Sequence, residues 1–164
     1  MTSVAPAAPP LLLVAEDSNS DRMILKEAFD DLGTIVRLRF VVHGEELLDY
    51  LLGRAAYASD QTALRPVLIL MDINMPRMNG IEALREIRSD ADLRMLPVII
   101  LSTSDNPKQI VEAYDHGVNA YMTKPGRFDE LVDLLRSFSA FWLSAAQLPA
   151  LASQAGGDAA RTFC

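Results

Sequence analysis

The sequence predicts an α/β fold, a doubly wound five-stranded parallel sheet with five helices, and three observations carry that expectation. Short, uniformly apolar runs such as Leu11 to Ala15 and Val67 to Met71 alternate with stretches whose apolar residues recur at helical spacing. Turn and stop residues, among them Gly33, Pro66, Pro97 and Gly117, sit at the junctions. The apolar runs are strand-sized, far short of the ~18 residues that would suggest a membrane span.

Leu11 to Ala15 is the first strand. Ser18 opens a Ser-x-x-Asp capping box closed by Asp21, and Ile24, Ala28, Phe29 and Leu32 keep helical spacing until Gly33 stops the helix. Ile35 to Val42 alternates Val36, Leu38 and Phe40 with Arg37 and Arg39, a strand with one wet face near a sheet edge. Glu45 to Leu52 is a short helix, and Gly53 to Arg65, small and polar, is a loop. Val67 to Met71, bounded by Pro66 and Asp72, is a central strand. Asn79 and Gly80 open a helix over Ile81 to Arg88, and Pro97 introduces the strand Val98 to Leu101. Lys108 to His116 is a helix ended by Gly117, Ala120 to Met122 is the fifth strand, and an extended last helix runs from Phe128 to about Leu148. Residues 1–10 read as a disordered lead-in, 11–148 as one domain, and 149–164, rich in Ala, Gly and Ser, as a disordered tail.

Composition narrows the function. The 164 residues accommodate one domain, without room for a separate output domain. Fifteen Lys and Arg against 22 Asp and Glu leave −7 with no basic stripe, so direct nucleic-acid binding is not expected. The lone cysteine, Cys164, excludes a disulfide framework or a cysteine metal site and fits a reducing compartment. Met1 to Pro10 lacks the basic region of a secretion signal, and the expected location is cytoplasmic, without a membrane partner.

In doubly wound sheets the functional crevice lies beyond the carboxyl ends of the strands. Glu16 and Asp17 follow the first strand, Asp72 the third, Ser102 and Thr103 the fourth, and Lys124 with Pro125 the fifth. Two carboxylates about 4 Å apart repel by ~4 kcal/mol at an effective dielectric near 20, so three acids on one rim call for a cation. Oxygen donors without histidine or cysteine favour a hard octahedral ion, and Mg²⁺ is the expected occupant. His43 and His116, at a loop start and a helix end, read as structural, and Met71, Met75 and Met78 as packing.

These residues resemble the receiver domain of bacterial response regulators, chemotaxis receivers included. The match is carried by Glu16-Asp17, by Asp72-Ile73-Asn74-Met75-Pro76 with Gly80, by Ser102 after Pro97-Val-Ile-Ile-Leu, and by Tyr121-Met-Thr-Lys124-Pro125, over about residues 11–148. The resemblance implies a flavodoxin-like fold and a phosphoacceptor switch in place of a turnover enzyme. Asp72 would accept the phosphoryl group from a sensor histidine kinase. Glu16, Asp17, Asp72 and the Asn74 backbone carbonyl would hold Mg²⁺, Lys124 would bind phosphoryl oxygens, and Ser102 and Tyr121 would form the switch. Asn74 and Ser104 match positions that tune dephosphorylation. Glu16 stands where the family more often has Asp, and Gly126 where it more often has Phe.

On a helical wheel the apolar residues from Phe128 to Leu148 spread over roughly 200°, more than one docking face requires. A homodimer through the last helix is therefore expected, anchored by Phe138, Phe141 and Trp142. The ending Ala140-Phe-Trp-Leu with Gln147-Leu-Pro149 also resembles the single-domain response regulators paired with bacterial phytochrome histidine kinases. The competing reading is an Asp-nucleophile phosphohydrolase. That chemistry needs a general acid two residues after the nucleophile, where this chain has Asn74.

Overall fold

The computed structural model describes residues 8–60 and 64–149. Five parallel strands form one sheet in the order β2-β1-β3-β4-β5: β1 (Leu11–Ala15), β2 (Arg37–Val41), β3 (Leu68–Met71), β4 (Val98–Ser102) and β5 (Ala120–Thr123). The helices are α1 (Asn19–Leu32), α2 (Gly44–Leu52), α3 (Gly80–Ser89), α4 (Pro107–Asp115) and α5 (Phe128–Ala140). The strand order reverses between β1 and β3, and there the register sets Ala15 beside Met71. Glu16 and Asp72 therefore leave the sheet side by side, at the switch point where such folds open their crevice.

Alternation along each strand divides the core. Leu12, Val14, Leu68, Leu70, Ile99 and Leu101 face α1 and α5, packing on Leu25, Phe29, Leu135 and Phe138. Leu13, Ala15, Ile69, Met71, Val98 and Ile100 face α2, α3 and α4. With both faces covered, the central strands are apolar throughout, whereas β2 at the edge alternates exposed Arg37 and Arg39 with half-buried Leu38 and Phe40.

Local chemistry sets the helix ends. Ser18 caps α1 by accepting from the Asp21 N–H at 3.2 Å, and Gly33 ends it in the left-handed conformation at φ 63°. His43 caps α2 through Nδ1, which accepts from the Glu46 N–H at 3.1 Å. Asn79 and Glu82 form a complete capping box on α3, and Asn106 caps α4 ahead of Pro107. Met71 and Met75 are buried in the core and Met78 packs against it, as expected of packing residues.

Three expectations are corrected. The last helix does not run to Leu148: α5 passes into a π-helical turn, Phe141–Ala145, and Ala146 leaves it extended at ψ 140°. The turn is closed by Ala146 N–H donating to Phe141 C=O at 2.7 Å, and Trp142, Leu143 and Leu148 pack onto the α1/α5 core. Phe138 is no outward anchor either, because only 3% of it is exposed and its ring meets Phe29 edge-on at 6.3 Å. Phe141, 55% exposed, stacks edge-on with Trp142 at 5.0 Å and keeps the outward role. The segment after α2 is not wholly irregular: a 3₁₀ turn, Ala55–Tyr57, brings Tyr57 against Tyr50, with Arg39 lying 5.5 Å from both ring centres. Of the expected lead-in and tail, residues 1–7 and 150–164 lie outside the described residues.

Candidate functional site

Glu16, Asp72 and Lys124 each sit one residue past a strand and Ser102 ends β4, all held there by the backbone. The Asp72 N–H donates to Ala15 C=O at 3.0 Å and the Glu16 N–H to Val41 C=O at 3.0 Å, which extends both ladders to the site. Two glycines let neighbouring helices close on the loop after β3. A Cβ at Gly80 would overlap the Asp72 carbonyl oxygen and lie 2.9 Å from Ile73 Cα, and one at Gly44 would lie 2.6 Å from Met78 O. The start of α3 can thus press directly on the backbone of Asp72.

Glu16, Asp17 and Asp72 each offer a carboxylate oxygen within 4.8 Å of the others. Glu16 is 2% exposed, its Oε1 accepting from the Ser18 N–H at 3.0 Å and its Oε2 from Lys124 Nζ at 2.5 Å. Asp72 Oδ1 accepts from the Ile73 N–H at 2.7 Å, leaving Oδ2 toward Lys124 Nζ at 3.9 Å. The Lys124 side chain is 9% exposed and also donates to Asp21 Oδ2 at 2.9 Å.

Burial pushes the Glu16 carboxyl above its ordinary value, against the pull of Lys124 and the Ser18 N–H. Burial alone would lower Lys124, but its hydrogen bonds to Glu16 and Asp21 outweigh it and hold the ammonium above the usual lysine value. The buried Glu16 thus resists carrying its charge, while Lys124 keeps its own among the three carboxylates of Glu16, Asp21 and Asp72. The donor set is all oxygen, clustered and partly dry, which fits a hard divalent cation.

Beyond the carboxylates, Ser102 is fully buried and its Oγ accepts from the Ser104 N–H at 3.2 Å. The Tyr121 hydroxyl donates to the Ser104 carbonyl at 2.7 Å, so Ser104 joins Ser102 to Tyr121 through its two backbone groups. Asn74 is exposed on the loop after β3.

Of the strand-end residues named from sequence, Glu16, Asp17, Asp72 and Lys124 thus converge, and Ser102 adjoins them through its carbonyl, which accepts from the Lys124 N–H at 2.7 Å. Sequence reasoning missed two others. Asp21 was read as half of a capping box, but that box lacks its second arm because the Ser18 N–H goes to Glu16 and the Asp21 carboxylate to Lys124. Arg22 donates from Nη1 to the carbonyls of Glu16 and Asp17 at 2.7 and 2.9 Å, fixing the turn that carries both acids. The available signal was an acid and an arginine one turn past an acid pair.

A family model for the response regulator receiver domain matches residues 12–136. The chain belongs to this family. The response regulator Rcp1 of Synechocystis is 32% identical over 142 residues, covering 87% of this chain and 95% of the relative. Its Mn²⁺-bound structure superposes with a TM-score of 0.78 at 32% identity, covering 87% of this chain and all of that one. The response regulator RPA3017 in red light signalling of R. palustris is 44% identical with a TM-score of 0.81, covering 85% and 98% of the two chains. The phosphorylated cyanobacterial phytochrome response regulator RcpA is 36% identical with a TM-score of 0.79, covering 87% of this chain and all of that one.

As a receiver, the chain is a two-component response regulator domain whose acidic cluster suits a divalent metal. Membership of this family speaks against the phosphohydrolase alternative. Among the described residues no helix is long and apolar enough to cross a membrane.

Proposed function

We propose that Asp72 accepts a phosphoryl group from the phosphohistidine of a phytochrome-linked histidine kinase. The observation that carries this is Asp72 Oδ2, which faces Lys124 Nζ at 3.9 Å inside a cluster of three carboxylates. In the transfer, Oδ2 attacks phosphorus, the new O–P bond forms as the P–N bond breaks, and the electron pair returns to the imidazole, which takes up a proton. Lys124 meets the charge on the equatorial oxygens. Glu16, Asp17, Asp72 and the Asn74 carbonyl would hold Mg²⁺, which would supply further positive charge there.

Ser102 Oγ accepts from Ser104 and keeps its own proton to donate to the phosphoryl oxygen. Turning toward the phosphoryl group draws on the Ser104 N–H, and the Ser104 carbonyl draws on Tyr121. The loop between β4 and α4 and the edge strand β5 thus receive the signal together. Ser104, on this path, and Asn74, exposed on the loop after β3, set how readily water reaches the acyl phosphate. Because the product is the protein's own side chain, the chain is a stoichiometric switch, not a turnover enzyme. Its place of action is the cytoplasm, where a histidine kinase presents its phosphohistidine.

The phytochrome link rests on the likeness to RPA3017, RcpA and Rcp1. A homodimer through the end of α5 is the accompanying reading, supported by exposed Phe141 stacked on Trp142. Sedimentation of the wild type and Phe141→Ser at micromolar concentration tests it, a wild-type monomer excluding this interface. The phosphoacceptor is tested by acetyl phosphate and Mg²⁺ followed by intact mass. The wild type gains one phosphoryl group and Asp72→Asn gains none, and a labelled Asn variant would move the site.

A further inference from the structure

We propose that Asp21 is a positioning residue for Lys124, holding its ammonium aside when a divalent cation takes the Glu16 carboxylate. The inference deepens the phosphoacceptor reading and rests on it for its purpose, though not for its geometry. Asp21 has no capping partner to satisfy, because the Ser18 N–H that would close a capping box donates instead to Glu16 Oε1. Its carboxylate turns toward the site and accepts from Lys124 Nζ at 2.9 Å.

The other Glu16 oxygen is the one in contention. Oε2 carries Lys124 Nζ at 2.5 Å, so a cation can use that oxygen only if the ammonium gives way. Lys124 has little route to water at 9% side-chain exposure, and the carboxylates within its reach are Glu16, Asp21 and Asp72. Glu16 and Asp72 belong to the three-acid cluster, whereas Asp21 does not. Asp21 is therefore the anion that stays available to the ammonium once the cluster is neutralised by metal. At 37% side-chain exposure its carboxylate has the freedom to follow Nζ as it shifts. Without it, a buried ammonium would face a divalent cation at a few ångströms with no counter-charge of its own, and the metal would bind less tightly.

Mn²⁺ binding to the unphosphorylated full chain, followed by the free-ion electron paramagnetic resonance signal, tests this in wild type, Asp21→Asn, Asp21→Glu, Lys124→Met and the Asp21→Asn/Lys124→Met double variant. Asp21→Asn is expected to weaken Mn²⁺ binding roughly 3- to 10-fold, Asp21→Glu to recover most of that loss, and Asp21→Asn to cost less than about 2-fold once Lys124 is Met. Loss of a helix-end acid acting only on folding would leave Mn²⁺ affinity unmoved. Wild-type affinity in Asp21→Asn overturns the inference. So does an equal loss with and without Lys124, which would mean that Asp21 acts by its own charge. Labelling the same proteins with acetyl phosphate separates the two claims: an unlabelled wild type removes the phosphoacceptor reading, while a coupled Mn²⁺ cycle still supports Asp21 as the partner of Lys124.

Discussion

The two ends of the sheet each hold a cation drawn partly out of water, and they use it in opposite ways. At the amino end, Arg88 of α3 donates to the carbonyls of Gly117, Leu96 and Arg94 and to Asn119 Oδ1, at 2.8 to 3.2 Å. Asn119 Oδ1 also accepts from the Val98 N–H, so α3 is tied to the starts of β4 and β5. These acceptors are neutral and fixed in backbone or short side chains, and burial, with no carboxylate opposing it, lowers the Arg88 value. At the carboxyl end Lys124 faces an excess of carboxylates, two in contact and a third at 3.9 Å. A cation saturated by carbonyls has one arrangement and fastens the fold. One shared among competing acids has several close in energy, and a ligand can choose between them.

That contrast can be broken most severely at Asp72. Asp72→Asn is expected to lower phosphoryl incorporation from acetyl phosphate at least ~10³-fold, the loss of a nucleophile, as read by intact mass. In metal-free buffer the same variant is expected to be more stable than wild type by about 1 kcal/mol in urea denaturation, since it relieves repulsion among three acids. A less stable variant would show that the acids do not strain the fold.

Gly80→Ala comes next, at about 3 kcal/mol of destabilisation, because its Cβ collides with the backbone of Asp72. Its phosphorylation rate should fall too, the displaced atoms being those that aim the nucleophile. Arg88→Met at the opposite end is expected to cost about 2 kcal/mol by leaving carbonyls unpaired, with the rate of labelling by acetyl phosphate unchanged. A slowed rate there would couple the two ends and defeat the division drawn between them.

The smallest effect is that of the metal. Mg²⁺ at ten times its dissociation constant is expected to stabilise the wild type by about 1.4 kcal/mol and Arg88→Met by the same amount, while Asp72→Asn gains less. Thermal melts with Mg²⁺ and with EDTA check this. Equal stabilisation of Asp72→Asn would place the ion outside the cluster.

The carboxyl end was legible in the sequence because its residues follow apolar strands directly. Asp72 is read from the run that ends at Met71, and Lys124 from the fifth strand, which the sequence ends at Met122 and the structure carries one residue further to Thr123. Asp21 was not legible, since an Asp in the first turn of a helix has a local explanation already. The outward face of α5 was misjudged for a related reason. The wheel spread its apolar residues over too wide an arc to say which side meets Phe29, and packing assigned Phe138 inward and Phe141 outward. Tyr57 lay in a segment without periodicity, and only its contact with Tyr50 and Arg39 gives it a place.

By itself, then, the sequence determined the strands, the helices and the residues at strand ends, because side-chain period and turn chemistry act over a few neighbours. The partners of each charge were decided by tertiary structure. Lys124 and Glu16 are 108 residues apart, and nothing local to either says whether the ammonium will rest on Glu16, Asp21 or Asp72. That choice depends on strand order and on how closely α1 and α3 approach the rim, properties of the packed whole.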